Sequence, residues 1–338
     1  MNYARKREKA LKKKRIFYIV VSAFAVLVIA ALVAISLFYT QTEWKYNVLL
    51  PNVSARKDKE LRIHYVDVGQ GDATVIELPD GKVMLIDGGN GSEESNLTLF
   101  RYLNALKITT IDYLVATHDD VDHCGGLAEV VKQKQILRAF LPVIRSHSNT
   151  ETDSHYAAYQ AFYTALQNEG CAKEFFRREI TLSVTDGETP YTLAFLYPYT
   201  VDVENPDETS VSANNVCPVI WLDYKGTSAI FTGDISKEVE EKLVRESELG
   251  FMRKDVELSS TEIIKVGHHG SNTSTCEKWL NHLNAKEAVI SCGKNNVYGH
   301  PSLEVSQRLL SAEINVYRTD VQGTVRITIA ENGEYVID

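Results

Sequence analysis

From Thr117 to Gly126 the chain reads Thr-His-Asp-Asp-Val-Asp-His-Cys-Gly-Gly, and His118, Asp120, Asp122 and His123 place four metal-ligating side chains within six positions. Imidazole and carboxylate are the donors that zinc and harder divalent ions take from proteins. The apolar run Ile111–Ala116 just before them predicts a strand. Because strand side chains alternate, a short loop at its end can aim two staggered ligand sets at two adjacent ions. One set would be His118 and Asp120, the other Asp122 and His123. Gly125-Gly126 then allows a tight turn into a following helix, which favours a packed role for the small Cys124 over a thiolate ligand.

Three further segments put ionisable residues directly after apolar strands: Val66-Asp67-Val68-Gly69-Gln70-Gly71-Asp72, Ile230-Phe231-Thr232-Gly233-Asp234, and Ile264-Lys265-Val266-Gly267-His268-His269-Gly270-Ser271. In each, glycine beside the charged residue lets backbone approach a ligand or turn sharply. Four strand ends then converge on one site. Asp67, Asp120, Asp122 and Asp234 gathered without cations would each cost several kcal/mol in lost hydration, and divalent ions remove that penalty.

The elements that must position these residues are readable by their periods. Strands are expected at Leu61–Val66, Ala73–Leu78, Lys82–Ile86, Ile111–Ala116, Tyr191–Leu196, Val216–Tyr224, Ser228–Phe231, Glu262–Val266, Ala288–Ser291, Ile314–Tyr317 and Thr324–Ile329. Helical spacing is expected at Asn96–Leu106, Gly126–Lys134, Ala157–Asn168, Ser236–Arg245, Glu277–Leu283 and Leu303–Ser311. Such a mixture, with polar ligands at strand ends, predicts a layered α/β sandwich. Residues 145–213, including the acidic stretch Asp202, Glu204, Asp207 and Glu208, read as an insertion shaping the rim.

The first segment is of another kind. Residues 1–15 carry eight lysines and arginines against Glu8, a local charge of +7, and Ile16–Phe38 is a charge-free run of 23 residues. As a helix that run spans roughly 34 Å, enough to cross a bilayer. It exceeds a signal-peptide core and ends without a small-x-small cleavage pattern, so an uncleaved anchor is expected. The basic flank predicts a single-pass protein of the cell membrane, with the N-terminus cytoplasmic and the rest extracellular. The expected organisation is a basic tail (1–15), a transmembrane helix (16–38), a polar linker (39–59) and a folded domain (60–338). Subtracting +7 from the formal −9 of the whole chain leaves −16 for the remainder, which argues against nucleic-acid binding through a generally basic surface. The five cysteines, at irregular spacing and without a Cys-x-x-Cys pair, do not form a disulfide framework or a zinc knuckle.

Taken together, Asp67, His118-x-Asp120-x-Asp122-His123, Thr232-Gly233-Asp234 and His268-His269-Gly270-Ser271 resemble the motif series of the metallo-β-lactamase superfamily. More narrowly, Asp67-Val68-Gly69-Gln70-Gly71-Asp72, Asn214-Asn215 and Tyr298-Gly299-His300-Pro301 resemble the nuclease-like domain of ComEC-type DNA-uptake proteins, over about residues 61–330. The resemblance implies a four-layer αββα sandwich holding two divalent ions. It further implies His118 and Asp120 on one ion with Asn215 nearby, Asp122, His123 and His268 on the other, and Asp234 between them. His269 is the alternative to His268, and Asp67 would orient a ligand histidine from behind. Asp120, where the superfamily usually has histidine, and Asn214 or Asn215, where another is usual, make the first site oxygen-rich, so Mn²⁺ rivals Zn²⁺. The implied reaction is in-line hydrolysis of a phosphodiester, nucleic acid being the expected partner. Asp120 or Asp122 would orient the nucleophile, and His300 would protonate the leaving oxygen or contact phosphate, unless it only caps the helix after Pro301. Ser271 would contact phosphate or cap a helix. Strand alternation alone leaves both sides of the strand open to Lys265. Hydrolysis of a small ester, lactone or β-lactam, and a non-catalytic binding module, are the competing functions; protein partners are not indicated.

Overall fold

The structure, a computed structural model, describes residues 2–38, 41–143, 154–199 and 213–338. His147 and the acidic stretch Asp202, Glu204, Asp207 and Glu208 lie outside the described residues. Two compact units are present, residues 1–49 and 50–338.

In the first unit the basic tail and the apolar run form one helix, Asn2–Phe38, followed by a short helix Gln41–Tyr46. Ile16, Phe24, Leu27 and Leu32 on the long helix are all exposed. The helix is long and apolar enough to be a candidate membrane span.

The second unit holds two sheets. The strands in chain order are β1 (Leu61–Tyr65), β2 (Thr74–Glu77), β3 (Val83–Ile86), β4 (Thr110–Val115), β5 (Gln135–Leu141), β6 (Ala172–Phe175), β7 (Thr192–Tyr197), β8 (Val219–Tyr224), β9 (Thr227–Phe231), β10 (Ile263–Lys265), β11 (Glu287–Ile290), β12 (Asn315–Arg318), β13 (Val325–Ile329) and β14 (Tyr335–Ile337). The first sheet runs β14-β13-β1-β2-β3-β4-β5-β6, the second β12-β11-β10-β9-β8-β7. Strands β3 to β6 are parallel, as are β9 to β12, and the remaining pairings are antiparallel.

Period-two alternation decides what each sheet buries. Ile63 and Tyr65 of β1, Met84 and Ile86 of β3, and Ile220 and Leu222 of β8 meet in the core between the sheets. The alternate residues Val219, Trp221, Ile230 and Ile264 face outward, onto Val239 and Leu243 of the helix Lys237–Glu248, Trp279 of the helix Glu277–His282 and Leu309 of the helix Leu303–Ser311. The helices Glu93–Ala105, Leu127–Gln133 and Ser154–Glu169 supply the other outer layer through the buried Leu99, Leu103, Val130 and Phe162. The expected αββα sandwich is therefore present.

Residues 145–213 are not simply an insertion: β6 closes one edge of the first sheet and β7 one edge of the second. On β1 the outward positions are polar but buried, His64 bonding Glu77 Oε1 at 3.0 Å and the Tyr102 hydroxyl at 2.9 Å, so that histidine is a satisfied core residue.

Candidate metal centre

The loops that follow β1, β3, β4, β9, β10 and β11 open at one end of the sandwich, the carboxyl ends of its parallel strands, where open α/β sheets present their crevices. Strand β4 delivers the ligand loop. His118 is fully buried, with Nε2 at 3.4 Å from Asp120 Oδ2 and 3.9 Å from Asp234 Oδ2. Asp120 sits at the N-cap of the single turn Val121–Cys124 and its carbonyl accepts from His123 N at 3.0 Å. That turn sets the His123 ring beside that of His118, centroids 4.2 Å apart, and carries His123 and Asp122 toward the loops after β9 and β10. His123 Nε2 consequently lies 3.3 Å from Asp234 Oδ1, and Asp122 Oδ2 lies 3.3 Å from His269 Nε2.

Asp234, beyond β9, stands between the two groups, its Oδ2 also 3.6 Å from His268 Nε2 and 3.7 Å from His269 Nε2. Both histidines after β10 thus approach it, but they differ in setting. His269 is 2 % exposed and faces His123 Nε2 at 3.1 Å, whereas the His268 side chain is 27 % exposed and bonds Thr273 Oγ1 through Nδ1 at 3.1 Å. The geometry seats His269, rather than the expected His268, among Asp122, His123 and Asp234.

Asp67 does not reach a histidine. Its carboxylate accepts from Gly69 N at 3.3 Å, within its own turn. Burial raises its pKa, and Gly69 opposes that. The residue behind the ligands is Asp87, at the end of β3, which is not among the residues expected from the sequence. Fully buried, it accepts from Thr117 N at 2.8 Å, Thr117 Oγ1 at 2.7 Å and His123 Nδ1 at 2.8 Å. Since β3 pairs in parallel with β4, Asp87 and Thr117 emerge side by side. The signal was available: Ile86-Asp87-Gly88-Gly89 repeats the strand, acid and glycine pattern of the other loops.

These contacts fix tautomers. A carboxylate can only accept, so His123 Nδ1 carries the proton and Nε2 is bare when the ring is neutral. His269 Nδ1 donates to Ser291 O at 2.9 Å, leaving its Nε2 bare too. Thr117 Oγ1 spends its only proton on Asp87 and therefore accepts from His118 Nδ1 at 3.0 Å. Three bare Nε2 atoms and Asp234 thus converge; His118 Nε2 and Asp234 Oδ1 are buried and make no hydrogen bond. Two lone pairs 3.1 Å apart, on His123 and His269, repel unless a cation or a proton lies with them. Burial alone would lower both histidine pKa values, but Asp234, with Asp87 beside His123 and Asp72 beside His269, overrides it and lifts His269 to about 10. The donor set fits divalent ions in two groups, His118 with Asp120 and Asp122 with His123 and His269, with Asp234 facing both.

Asp72 also approaches His123 and His269, at 3.9 and 3.5 Å, but the Lys265 ammonium holds it at 2.7 Å. A carboxylate already neutralised by a buried cation makes a poor ligand, so we read Asp72 as support for His269. Lys265 therefore faces the underside of the site. Cys124 donates to Asp119 O at 3.2 Å, consistent with packing. All five cysteines are free.

The remaining candidates lie around the rim. Asn215 accepts from Ser236 N at 3.3 Å, tying down the chain just past Asp234. Ser271 bonds Thr273 Oγ1 at 3.0 Å inside its own turn. The helix after Pro301 is capped by Ser302, which accepts from Val305 N at 3.2 Å, so His300 is not its cap. The His300 ring instead stands 5.7 Å from that of His268 and 6.4 Å from that of His269, with Nδ1 buried and making no hydrogen bond. Burial, together with His269 and His268, lowers its pKa.

Residues 66–203 match the family model described as the metallo-beta-lactamase superfamily. Among curated proteins, the chain is 31 % identical to "ComE operon protein 3" of Bacillus subtilis over 282 residues, 79 % of this chain and 33 % of that protein. It is 25 % identical to "Competence protein ComA" of Neisseria gonorrhoeae over 294 residues, 86 % of this chain and 36 % of that protein. It is 23 % identical to "Endoribonuclease ysh1" of Schizosaccharomyces pombe over 213 residues, 61 % of this chain and 27 % of that protein. The chain thus spans about a third of the length of the two competence relatives. With this match, the two-sheet sandwich and the buried histidine and aspartate cluster, the chain carries a metallo-beta-lactamase domain, similar in sequence to competence proteins and to an endoribonuclease.

Proposed function

We propose that this domain is a two-metal phosphodiesterase acting on nucleic acid, held at the outer face of the cell membrane by residues 16–38. The observation that carries the reading is Asp234 facing two ligand groups at once, His118 with Asp120 on one side and Asp122, His123 and His269 on the other. When bound, two divalent ions, zinc or manganese, supply Lewis acidity toward a phosphoryl group and acidify water.

The chain's own residues do the rest. Asp87, through His123 and Thr117, holds the imidazoles in the one tautomer that leaves Nε2 free. Asp120 and Asp122, with side chains 33 % and 27 % exposed, are the carboxylates of the cluster that a water at the mouth can reach and that can orient it. His300 lies beside His268 at that mouth and, with its lowered pKa, meets substrate as a neutral imidazole able to hydrogen-bond a phosphate oxygen. Tyr298 stacks on His300 with ring centroids 5.8 Å apart and is 65 % exposed, leaving a face on which a nucleobase can stack. The competence and endoribonuclease names of the relatives support a nucleic-acid substrate. The basic flank before the apolar run supports a cytoplasmic N-terminus.

The test is turnover by full-length, metal-loaded protein in detergent against single-stranded DNA, single-stranded RNA, a chromogenic phosphodiester and a chromogenic β-lactam. Cleavage of a phosphodiester that disappears in Asp234→Ala is expected. Hydrolysis of the β-lactam with none of the phosphodiesters touched would overturn the reading. Protease protection of the domain in intact cells would overturn the outward orientation.

A further inference from the structure

On the two-metal reading, we propose that Gln70 is a positioning residue that fastens the loop 293–300 to the ligand Asp122, coupling ion binding to the seating of His300. Gln70 is half-buried in the turn after β1. Its side chain bridges two loops: Nε2 donates to Asp122 Oδ2 at 3.4 Å, and Oε1 accepts from Gly293 N at 3.1 Å. These partners fix which way the amide points. A carboxylate only accepts and a backbone N–H only donates, so the reversed amide would lose both bonds.

From Gly293 the connection runs on to His300. Gly293 O accepts from Asn296 N at 3.2 Å and from Asn296 Nδ2 at 2.9 Å. The Asn296 amide then grips both backbone groups of His300, Oδ1 accepting from His300 N at 2.9 Å and Nδ2 donating to His300 O at 2.6 Å. Hydrogen bonds thus run unbroken from the Asp122 carboxylate to the His300 backbone. Tyr298, with the face on which a nucleobase can stack, rides on the same loop.

The backbone is cleared at both ends of the bridge. A Cβ on Gly293 would lie 2.7 Å from Gln70 N and 3.0 Å from its Cα, and one on Gly71 would lie 2.1 Å from Asp122 O. Asp72 N also donates to Asp122 O at 3.1 Å and Asn90 Nδ2 to Gln70 O at 3.3 Å, which pins the Gln70 backbone between its partners. A glutamine that only filled a surface turn would need neither glycine. An ion on Asp122 holds that carboxylate still, and Gln70 passes the restraint to the loop. By linkage, an ordered loop strengthens ion binding by the same factor.

Amide hydrogen exchange of full-length protein in detergent, resolved to single amides with and without saturating zinc, tests the coupling. In wild type, zinc is expected to slow Gly293, Asn296, Gly299 and His300 by about fivefold or more. Gln70→Met should abolish the slowing at all four amides. Asn296→Ala should abolish it at Gly299 and His300 and spare Gly293, while Asp67→Asn, in the same turn, should keep it throughout. On a phosphodiester, Gln70→Met should lower kcat by about tenfold or more, but by less than about twofold in the His300→Ala background, since it acts through His300. Slowing that survives in Gln70→Met, or additive losses of kcat, would overturn the Gln70 assignment. Should that variant fail to fold, wild type decides, because no zinc-linked slowing in it would overturn the coupling. Two bound zinc ions with the expected slowing, but no phosphodiester cleaved, would support the coupling and overturn the proposed function. Less than one bound ion per chain at saturating supply would overturn both.

Discussion

Replacing Asp87 by asparagine keeps the shape of the side chain and removes its ability to accept at every position. The native carboxylate accepts three hydrogen bonds at 2.7 to 2.8 Å, from Thr117 N, Thr117 Oγ1 and His123 Nδ1. An asparagine oxygen can retain the backbone bond, but its NH₂ then points at His123 Nδ1. That amide favours the tautomer with the proton on Nε2, which closes the nitrogen facing Asp234. It also competes for Thr117 Oγ1, on which His118 Nδ1 depends. Loss of such a supporting partner typically weakens metal binding 10–100-fold, or about 1.4–2.8 kcal/mol per ion at 1.4 kcal/mol per decade. Both ions should be affected. Competition against a chromophoric chelator measures this, with circular dichroism showing that the variant folds. Asp67→Asn is the control, since the Asp67 carboxylate bonds Gly69 N and no ligand histidine, and should change affinity less than about threefold. Wild-type affinity for both ions in Asp87→Asn, or an equal loss in Asp67→Asn, would refute the tautomer argument.

Gly71→Ala should lose several kcal/mol of stability, read as a lowered denaturation midpoint, because a Cβ there would lie 2.1 Å from Asp122 O at φ +131°. His300→Ala should lower kcat by about 10²-fold or more while metal content, by elemental analysis, stays at wild type, since its ring stands beside the histidines. Glu240 should make stability pH-dependent. It is fully buried, accepts from Thr275 N at 2.6 Å and Cys276 N at 2.8 Å, and burial pushes its pKa up from 4.5 to about 7. Between those pH values the folded protein keeps a proton that the unfolded chain has released, so its stabilisation is complete below 4.5 and is lost by about 7. Relative to Glu240→Gln, wild type should therefore lose roughly 3 kcal/mol across that window in urea denaturation; a difference constant with pH would sink this.

The ligand loop was legible because strand alternation and two close histidine and aspartate pairs survive in the sequence as spacing. The choice between His268 and His269 was not. Both have left-handed backbone, φ 48° and 52°, so the period-two rule that orders β10 stops before it reaches them. Asp87 differs: its strand, acid and glycine pattern is visible in the sequence, but its place behind the ligands depends on the parallel pairing of β3 with β4, a long-range fact. Strands β6 and β14, with 4 and 3 residues, are too short for a period to be read, and β5 mixes Gln135 and Arg138 into an otherwise apolar run.

The shared anchor at Asp87 also bears on how such a site can drift. On the two-metal reading, losing His118 or Asp122 would damage one half-site, whereas losing Asp87 would disturb both, so tolerance to mutation would be lowest at a residue that touches neither ion. Thr117 is the position where the halves can be separated. A valine there would release His118 while leaving the direct bond from His123 to Asp87 in place. A lineage moving from two-ion to one-ion chemistry on this scaffold would have its shortest path through Thr117, with no ligand replaced.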